Sequence, residues 1–367
     1  MRIVQFANFY TPTSGGLRTC VDEIGRRYSE LGHERILVVP GPVDSDEQTP
    51  SSRRVTLSSP PLPGSGNYRV LTARRRLLRL LDAVRPNVIE VSDKLGVPWL
   101  SRWARSHQVP IVLFSHERVD AFLQARLPSW LPLTASGDAA NRRLCSLVDG
   151  VVVASAFAAE EFVRVAAPNL HRIPLGVDLS TFRPSPAATG DRVRLVMLSR
   201  LSTEKNPALA VDTLRHLVDH GVPASLTLVG DGPLRARIER RAAGLPVRFV
   251  GHVAGREAVA RLVAAADVTL SPSTAETFGL ASLEALACGT PVVVPTEGAL
   301  RELIADGASG RVCEPTPAAF AAGVRELVAL PRPVRQAAAR AAAERFPWSR
   351  TVDGLLDLYA NALAPGA

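Results

Sequence analysis

Asp267-Val-Thr-Leu-Ser-Pro-Ser-Thr-Ala-Glu-Thr-Phe-Gly-Leu-Ala-Ser-Leu-Glu-Ala-Leu-Ala-Cys-Gly-Thr-Pro-Val-Val-Val-Pro295 reads as a strand, a Ser/Thr-rich turn, a helix and a second strand. Glu276 lies in the turn, Gly279 follows three residues later, and Glu284 falls more than a turn into the helical run. The residues between the two acids, Thr277-Phe-Gly-Leu-Ala-Ser-Leu283, are largely apolar, so Glu284 sits in a hydrophobic helix and needs partners. Backbone N–H groups around Gly279 and Leu280 open the helix and suit a diphosphate. A loop acid, a free helix N-terminus and a helical acid can grip hydroxyls, an anion and more hydroxyls in line. A sugar–diphosphate–nucleoside offers those groups in that order.

The same strand–helix rhythm runs outward in both directions. Toward the C-terminal side of the chain's middle, Arg194–Ser199, Ser225–Val229, Val247–Val250, Val268–Ser271 and Pro291–Pro295 read as strands with helices between them. Toward the N-terminus, residues 3–7 form an apolar strand, Thr11-Pro-Thr-Ser-Gly-Gly16 a glycine-bearing turn, Leu17–Leu31 an amphipathic helix and Ile36–Val39 a strand. Val88–Val91, Ile111–Ser115 and Gly150–Ala154 continue the pattern as buried strands. The expected fold class is therefore α/β, with two Rossmann-like, doubly wound halves. Pro174-Leu-Gly-Val-Asp178 through Pro184-Ser-Pro-Ala-Ala-Thr-Gly190 is the expected linker. Domains are expected at 1–182 and 183–346, facing a cleft, with 347–367 packing back on the first. Phe346-Pro347-Trp348 breaks an Ala/Arg helix at Ala337–Arg345. The last helix, Thr351–Leu363, carries an apolar face of Val352, Leu355, Leu356, Tyr359 and Leu363 that needs a surface to cover.

Length and composition bound the function. At 367 residues the chain is long for one core, and 46% hydrophobic with 21% charged residues is the make-up of an ordered globular protein. The net charge of +8, mostly from arginine, points to a polyanionic partner without choosing one. Nucleic acid is disfavoured by a 5% aromatic content and the lack of any binding module. The four cysteines, Cys20, Cys145, Cys288 and Cys313, are far apart and read as reduced structural thiols. Met1-Arg-Ile-Val-Gln-Phe-Ala-Asn8 reads as a first strand rather than a signal peptide, and no window approaches ~18 uninterrupted apolar residues. The expected location is cytoplasmic.

Arg200-Leu-Ser-Thr-Glu-Lys205 follows a strand directly, so an arginine fork and a lysine point charge can both reach one anion. Gly15 and Gly16 alone would fit any tight turn, and the absence of G-x-G-x-x-G argues against a standard dinucleotide site. A lone histidine after an apolar strand, such as His116, is more often structural than catalytic. Asp44-Ser-Asp46 spells D-x-D but lies in a polar stretch beside Glu47 and Gln48, where a solvated charge cluster is the better reading.

Together these motifs resemble those of the retaining glycosyltransferases of family 4, which have the GT-B fold. Glu276-Thr-Phe-Gly-Leu-x3-Glu284-Ala-Leu-Ala-Cys-Gly-Thr-Pro-Val-Val-Val294 is similar to the family's E-x7-E region. Arg200-x4-Lys205 is similar to its diphosphate-binding pair, Pro174-Leu-Gly-Val-Asp-x3-Phe-x-Pro184 to its interdomain motif, and Phe249-Val-Gly-His252 to its nucleobase segment. The resemblance covers essentially the whole chain. In the N-terminal half, Gln5-Phe-Ala-Asn-Phe-Tyr-x4-Gly-Gly-Leu-Arg-Thr19, Glu90-Val-Ser-Asp93 and Ser115-His-Glu-Arg118 look most like the actinobacterial GDP-mannose-dependent mannosyltransferases that build phosphatidylinositol mannosides.

The resemblance implies roles for individual residues. Gly15 and Gly16 would line the acceptor and diphosphate loop, and His116 would contact the transferred sugar and the acceptor side. Arg200 and Lys205 would neutralise the leaving diphosphate, and Glu276 would bind sugar hydroxyls. Phe278, Gly279 and Leu280 would present backbone to the donor, Glu284 would hold the ribose, and Val250, Gly251 and His252 would flank the base. The reaction implied is transfer of a hexose, mannose from GDP-mannose, to a phosphatidylinositol mannoside-type glycolipid, with no metal and no bound cofactor. The departing diphosphate would help take the acceptor's proton on the front face. Another nucleotide-sugar with a soluble or natural-product acceptor, a GT-B-like epimerase and a non-catalytic sensor are the alternatives. Oligomeric state is not specified by the sequence.

Tyr68–Val84 is an expected helix with Val70, Leu77, Leu81 and Val84 on one face and Arg75, Arg76, Arg79 and Asp82 opposite. On pattern alone it reads equally as a surface helix packed on the sheet and as an anionic-membrane contact. The resemblance favours peripheral binding at the inner face of the cell membrane, with Leu127-Pro-Ser-Trp-Leu-Pro-Leu133 as a second apolar contact.

Overall fold

The structure is a computed structural model, and it describes residues 1–11, 15–49, 52–62, 68–118, 133–185 and 191–364. The segment 127–132, expected as an apolar contact, lies outside them, as do 12–14 of the first turn and 186–190 of the linker. The chain divides into two compact units, Met1–Leu175 with Trp348–Ala367, and Gly176–Pro347.

The first unit runs β1 (Arg2–Phe6), α1 (Gly15–Glu30), β2 (Glu34–Gly41), β3 (Ser45–Thr49), β4 (Ser52–Ser58), α2 (Arg74–Val84), β5 (Val88–Val91), α3 (Val97–Ser106), β6 (Ile111–Ser115), α4 (Leu133–Cys145), β7 (Gly150–Val153), α5 (Ala156–Val163) and β8 (Leu170–Arg172). It is completed by α12 (Trp348–Leu363). Its sheet has the order β3-β4-β2-β1-β5-β6-β7-β8. β1 lies centrally, parallel to β2 and β5, with Ile3 opposite both Arg35 and Val88. Helices cover both faces, which is why β5, β6 and β7 are apolar runs rather than alternating ones.

The second unit runs β9 (Val193–Leu198), α6 (Pro207–Asp219), β10 (Ala224–Val229), α7 (Arg235–Arg241), β11 (Val247–Gly251), α8 (Arg256–Ala264), β12 (Val268–Leu270), α9 (Leu280–Ala287), β13 (Val292–Pro295), β14 (Gly310–Cys313), α10 (Pro317–Ala329) and α11 (Arg332–Glu344). Its six strands have the order β11-β10-β9-β12-β13-β14 and all pair in parallel. The strand order reverses between β9 and β12, so the loops leaving their carboxyl ends splay apart there.

Three elements differ from the sequence reading. Asp44–Gln48, expected as a polar loop, is largely strand: β3 pairs antiparallel with β4, and cross-strand ion pairs hold Asp46 to Arg53 and Glu47 to Arg54. Asp44 is paired instead with Arg76 at 2.8 Å. The helix expected at 68–84 begins only at Arg74, because Arg69 bridges to Pro61 and Leu62 donates to the Tyr68 carbonyl. The last helix starts at Trp348, and its buried face is Trp348, Thr351, Val352, Leu355, Leu358 and Tyr359. Leu363 is turned out to solvent.

That last helix docks through a buried polar cluster. Tyr359 donates to Glu90 Oε2 at 2.5 Å and Tyr28 donates to the same oxygen at 3.0 Å. Gln5 donates to Glu90 Oε1 at 2.8 Å and accepts from Arg35 at 2.5 Å. Burial pushes the Glu90 carboxyl above its ordinary value, although all three donors oppose this. The Arg35 guanidinium fills the space beside Gly25, where an added Cβ would stand 2.0 Å from it.

Candidate active site

In the second unit, the loops at the carboxyl ends of β9 and β12 carry the basic and acidic motifs to one place. The chain leaves β9 at Ser199 and passes Arg200. It makes a short 3₁₀ turn over Thr203–Lys205 and enters α6 through Asn206, whose φ of 48° is a left-handed value that asparagine tolerates. This places Lys205 so that its Nζ donates to Glu276 Oε2. Both side chains are about a quarter exposed, at 25% and 24%. The pair therefore faces a space reachable from solvent and is not a core ion pair.

Glu276 is held from behind: its carbonyl accepts from Ala299 N at 3.1 Å, in the loop after β13. Gly279 then takes φ 96° and caps α9, and an added Cβ there would stand 2.2 Å from Leu300 Cδ2. Only glycine meets both constraints. The Phe278 side chain is buried, edge-on to Phe346 at 6.0 Å, so it leaves only backbone at the helix entrance. α9 opens at Leu280 with no side chain capping its first amide groups, an arrangement that suits an anion. Glu284, one turn in, lies 3.9 Å from Arg256 Nη2 and is 14% exposed. Its charge, after desolvation, helps push the Cys288 thiol up to about 12, so that thiol is protonated and structural.

Val250 and Gly251 end β11, two strands from β9, and His252 follows at the same carboxyl edge. Gly251 has φ 78°, its carbonyl accepts from Gly230 N at 2.8 Å, and His252 is exposed. Between this edge and Arg200 lies Gly230-Asp-Gly-Pro233, which the sequence reading passed over. Leu201 N donates to the Asp231 carbonyl at 2.9 Å, and a Cβ on Gly230 would stand 2.0 Å from the Ser199 carbonyl. The two glycines just past a strand's end were the available signal. They permit the backbone approach that seats the Arg200 loop.

Gly15, Gly16 and His116 belong to the first unit. Gly15 and Gly16 are exposed at the start of α1, and Gly15 has φ 38° with open space where a Cβ would go. His116 follows β6, and its ring stacks on Phe114 at 4.3 Å. Burial lowers its pKa to about 4, so the imidazole is neutral near pH 7. Sequence reasoning also missed Asn8 as a partner of Asp93. Its main-chain and side-chain amides both donate to the Asp93 carboxylate, at 3.1 and 3.0 Å, joining the ends of β1 and β5 where the first sheet's order reverses. Burial raises the Asp93 carboxyl from its ordinary value. Arg118 stacks on Phe157 and donates to Glu160 at 2.5 Å, a structural engagement.

On α2 the apolar residues Leu77, Leu81 and Val84 are buried against the sheet, while Arg75, Arg76 and Arg79 are exposed. Among the described residues no helix is long and apolar enough to cross a membrane.

Two family models match the chain: "Glycosyltransferase Family 4" over residues 14–181 and "Glycosyl transferases group 1" over residues 180–345. A GDP-mannose-dependent alpha-(1-6)-phosphatidylinositol dimannoside mannosyltransferase of Mycobacterium tuberculosis is 44% identical over 365 residues, covering 97% of this chain and 95% of that protein. A D-inositol 3-phosphate glycosyltransferase of Geodermatophilus obscurus is 30% identical, covering 95% and 85%. Among solved structures, a sucrose-phosphate synthase from Thermosynechococcus elongatus superposes with a TM-score of 0.82 at 21% identity, covering 98% of each chain. The fold is GT-B.

Proposed function

The chain belongs to the glycosyltransferases of group 1 and family 4, and we propose that it moves mannose from GDP-mannose to a phosphatidylinositol mannoside with an alpha linkage. The observation that carries the donor half of this reading is the Lys205–Glu276 pair at the switch point of the second sheet, beside the helix start at Gly279. In this reading Glu276 holds sugar hydroxyls, Lys205, Arg200 and the α9 amides take the diphosphate, and Glu284 holds the ribose. Val250, Gly251 and His252 flank the base. The 44% identity along nearly the whole of a mannosyltransferase supports the sugar and the acceptor class.

Retention follows from front-face transfer. The bond between the anomeric carbon and the diphosphate oxygen breaks, and the acceptor hydroxyl attacks from the same side. Its proton passes to the departing diphosphate. Negative charge grows on that diphosphate in the transition state, where two cations and a helix N-terminus preorganised at the site lower the barrier. Lys205 and Arg200 supply this neutralisation without a metal, so activity is expected to persist in EDTA. Gly15, Gly16 and His116 serve the acceptor side, with His116 acting as a neutral hydrogen-bonding group. The exposed Arg75, Arg76 and Arg79 attract anionic lipid electrostatically, since the apolar face of α2 is engaged in the core.

A thermal-shift panel of GDP- and UDP-sugars tests the donor: stabilisation by GDP-mannose is expected, and a preference for a UDP-sugar overturns it. Sedimentation with phosphatidylinositol-containing vesicles at low salt tests the surface. Binding that fades as salt rises is expected, and failure to bind removes the membrane proposal.

A further inference from the structure

We propose that Glu204 positions the guanidinium of Arg200 for the donor's diphosphate and that Ser273 fixes Glu204 in turn, a role that rests on the donor site described above. Glu204 lies in the 3₁₀ turn between the two basic residues. Its side chain is 9% exposed, whereas that of Arg200 is 48% exposed. Glu204 Oε1 accepts from Arg200 Nη2 at 2.9 Å and from Ser202 Oγ at 2.6 Å. Its main-chain carbonyl accepts from Ser273 Oγ at 2.7 Å. Ser202 and Ser273 are themselves buried. The serine from the β12 loop thus ties down the β9 loop across the switch point, three residues before Glu276.

A half-exposed arginine has many rotamers to lose when it grips an anion, and that loss opposes binding in the transition state. Anchoring one nitrogen on a carboxylate held by the buried Ser202 hydroxyl, on a backbone tied to Ser273, removes much of it beforehand. The hydrogen bonds keep Glu204 ionised, lowering its pKa against the desolvation that would raise it. A carboxylate that merely offset charge beside Arg200 would need neither the Ser202 bond nor the tie to Ser273. The two roles also differ in outcome. Deleting a charge-offsetting acid strengthens anion binding and leaves turnover intact, whereas deleting a positioning acid slows turnover through Arg200.

The test compares Arg200→Ala, Glu204→Ala, Glu204→Gln, Ser273→Ala and the Arg200→Ala/Glu204→Ala pair, using GDP-mannose and vesicles containing phosphatidylinositol mannosides. Glu204→Ala is expected to lower kcat roughly 10–100-fold with KM for GDP-mannose changed less than about threefold. Glu204→Gln, which keeps an acceptor oxygen, should recover most of that loss. The double variant should be no slower than Arg200→Ala alone, because the two side chains act as one unit. Wild-type kcat in Glu204→Ala, a Gln variant as slow as the Ala variant, or losses that multiply in the pair would each overturn the proposal. If Glu204→Ala does not fold, Ser273→Ala decides: a several-fold loss of kcat supports the brace and an unchanged kcat overturns it. Wild-type turnover in Arg200→Ala would instead sink the donor-site reading itself.

Discussion

Lys205 has two anionic claimants. It is bonded to Glu276, and in the proposed reaction it serves the diphosphate while Glu276 serves the sugar. The donor supplies replacements for both partners at once, whereas free GDP supplies only one. Glu276 therefore competes with product for Lys205, which favours release after transfer. Glu276→Gln is expected to bind GDP roughly two- to fivefold more tightly, the worth of one part-exposed ion pair, while losing most turnover. Calorimetric titration with GDP checks this, and unchanged or weaker binding would refute the competition. Lys205→Ala should reduce kcat by roughly 10²–10³ and donor affinity much less, because the charge it meets develops in the transition state. Equal losses in both would mean that it only binds. At His116 the sign is set by its pKa of about 4 against an ordinary 6.5. As pH falls from 6.5 toward 4 the unfolded chain takes up a proton that the folded ring refuses, so stability declines through that window. His116→Asn should lose that slope in urea titrations run across the same pH range, and an identical slope in both proteins would show that the ring titrates normally.

At the level of elements, α9 is where fold and chemistry constrain each other most. Its first residue is preceded by a glycine where an added Cβ would stand 2.2 Å from Leu300 Cδ2 and 3.6 Å from Glu276 Cγ. Gly279→Ala must therefore tolerate a left-handed φ and displace Leu300, costing about 1–3 kcal/mol for the backbone alone. Pairing it with Leu300→Ala should restore space but not φ. Partial recovery of melting temperature, with donor affinity still impaired, is the expected result, and full recovery would show that crowding alone mattered. This element was legible in sequence because glycine, acid and apolar spacing all point to one geometry. So were β1, β5, β6 and β7, whose short apolar runs between turn residues suit a strand covered on both faces. β3 was not, since Asp46 and Glu47 are poor strand formers until Arg53 and Arg54 arrive across the hairpin. β8 and β14, Leu-His-Arg and Gly-Arg-Val-Cys, interrupt their apolar residues with charged or polar ones and so show neither an apolar run nor a period. Within the site, Arg200, Lys205, Glu276 and Glu284 announced themselves by residue type and spacing. Glu204 and Gly230 did not, because their part is to hold other groups through contacts that only the folded chain creates.

Over the whole molecule, the chain's path from the first unit into the second and back makes the last helix a structural part of the first. Trp348, Val352, Leu355 and Tyr359 bury themselves there, and Tyr359 shares the Glu90 carboxylate with Tyr28. Glu90 is a carboxyl group removed from water, held by three hydrogen bonds from neutral groups with Arg35 nearby. Such a group is tolerable only while every donor stays in place. Tyr359→Phe keeps the ring and its packing but withdraws one donor from a buried acceptor, which should cost about 1–3 kcal/mol. Tyr359→Ala adds a cavity and should reach about 3–5 kcal/mol or more. Removing residues 348–367 takes the donor, the apolar face and the cover of α1 together. That protein is expected to lose the protected amides of β1 and β5 in hydrogen exchange rather than merely a terminal helix. Ordinary protection of those two strands in the truncated chain would show that the first unit stands without α12, and would reduce the Glu90 cluster to a local attachment.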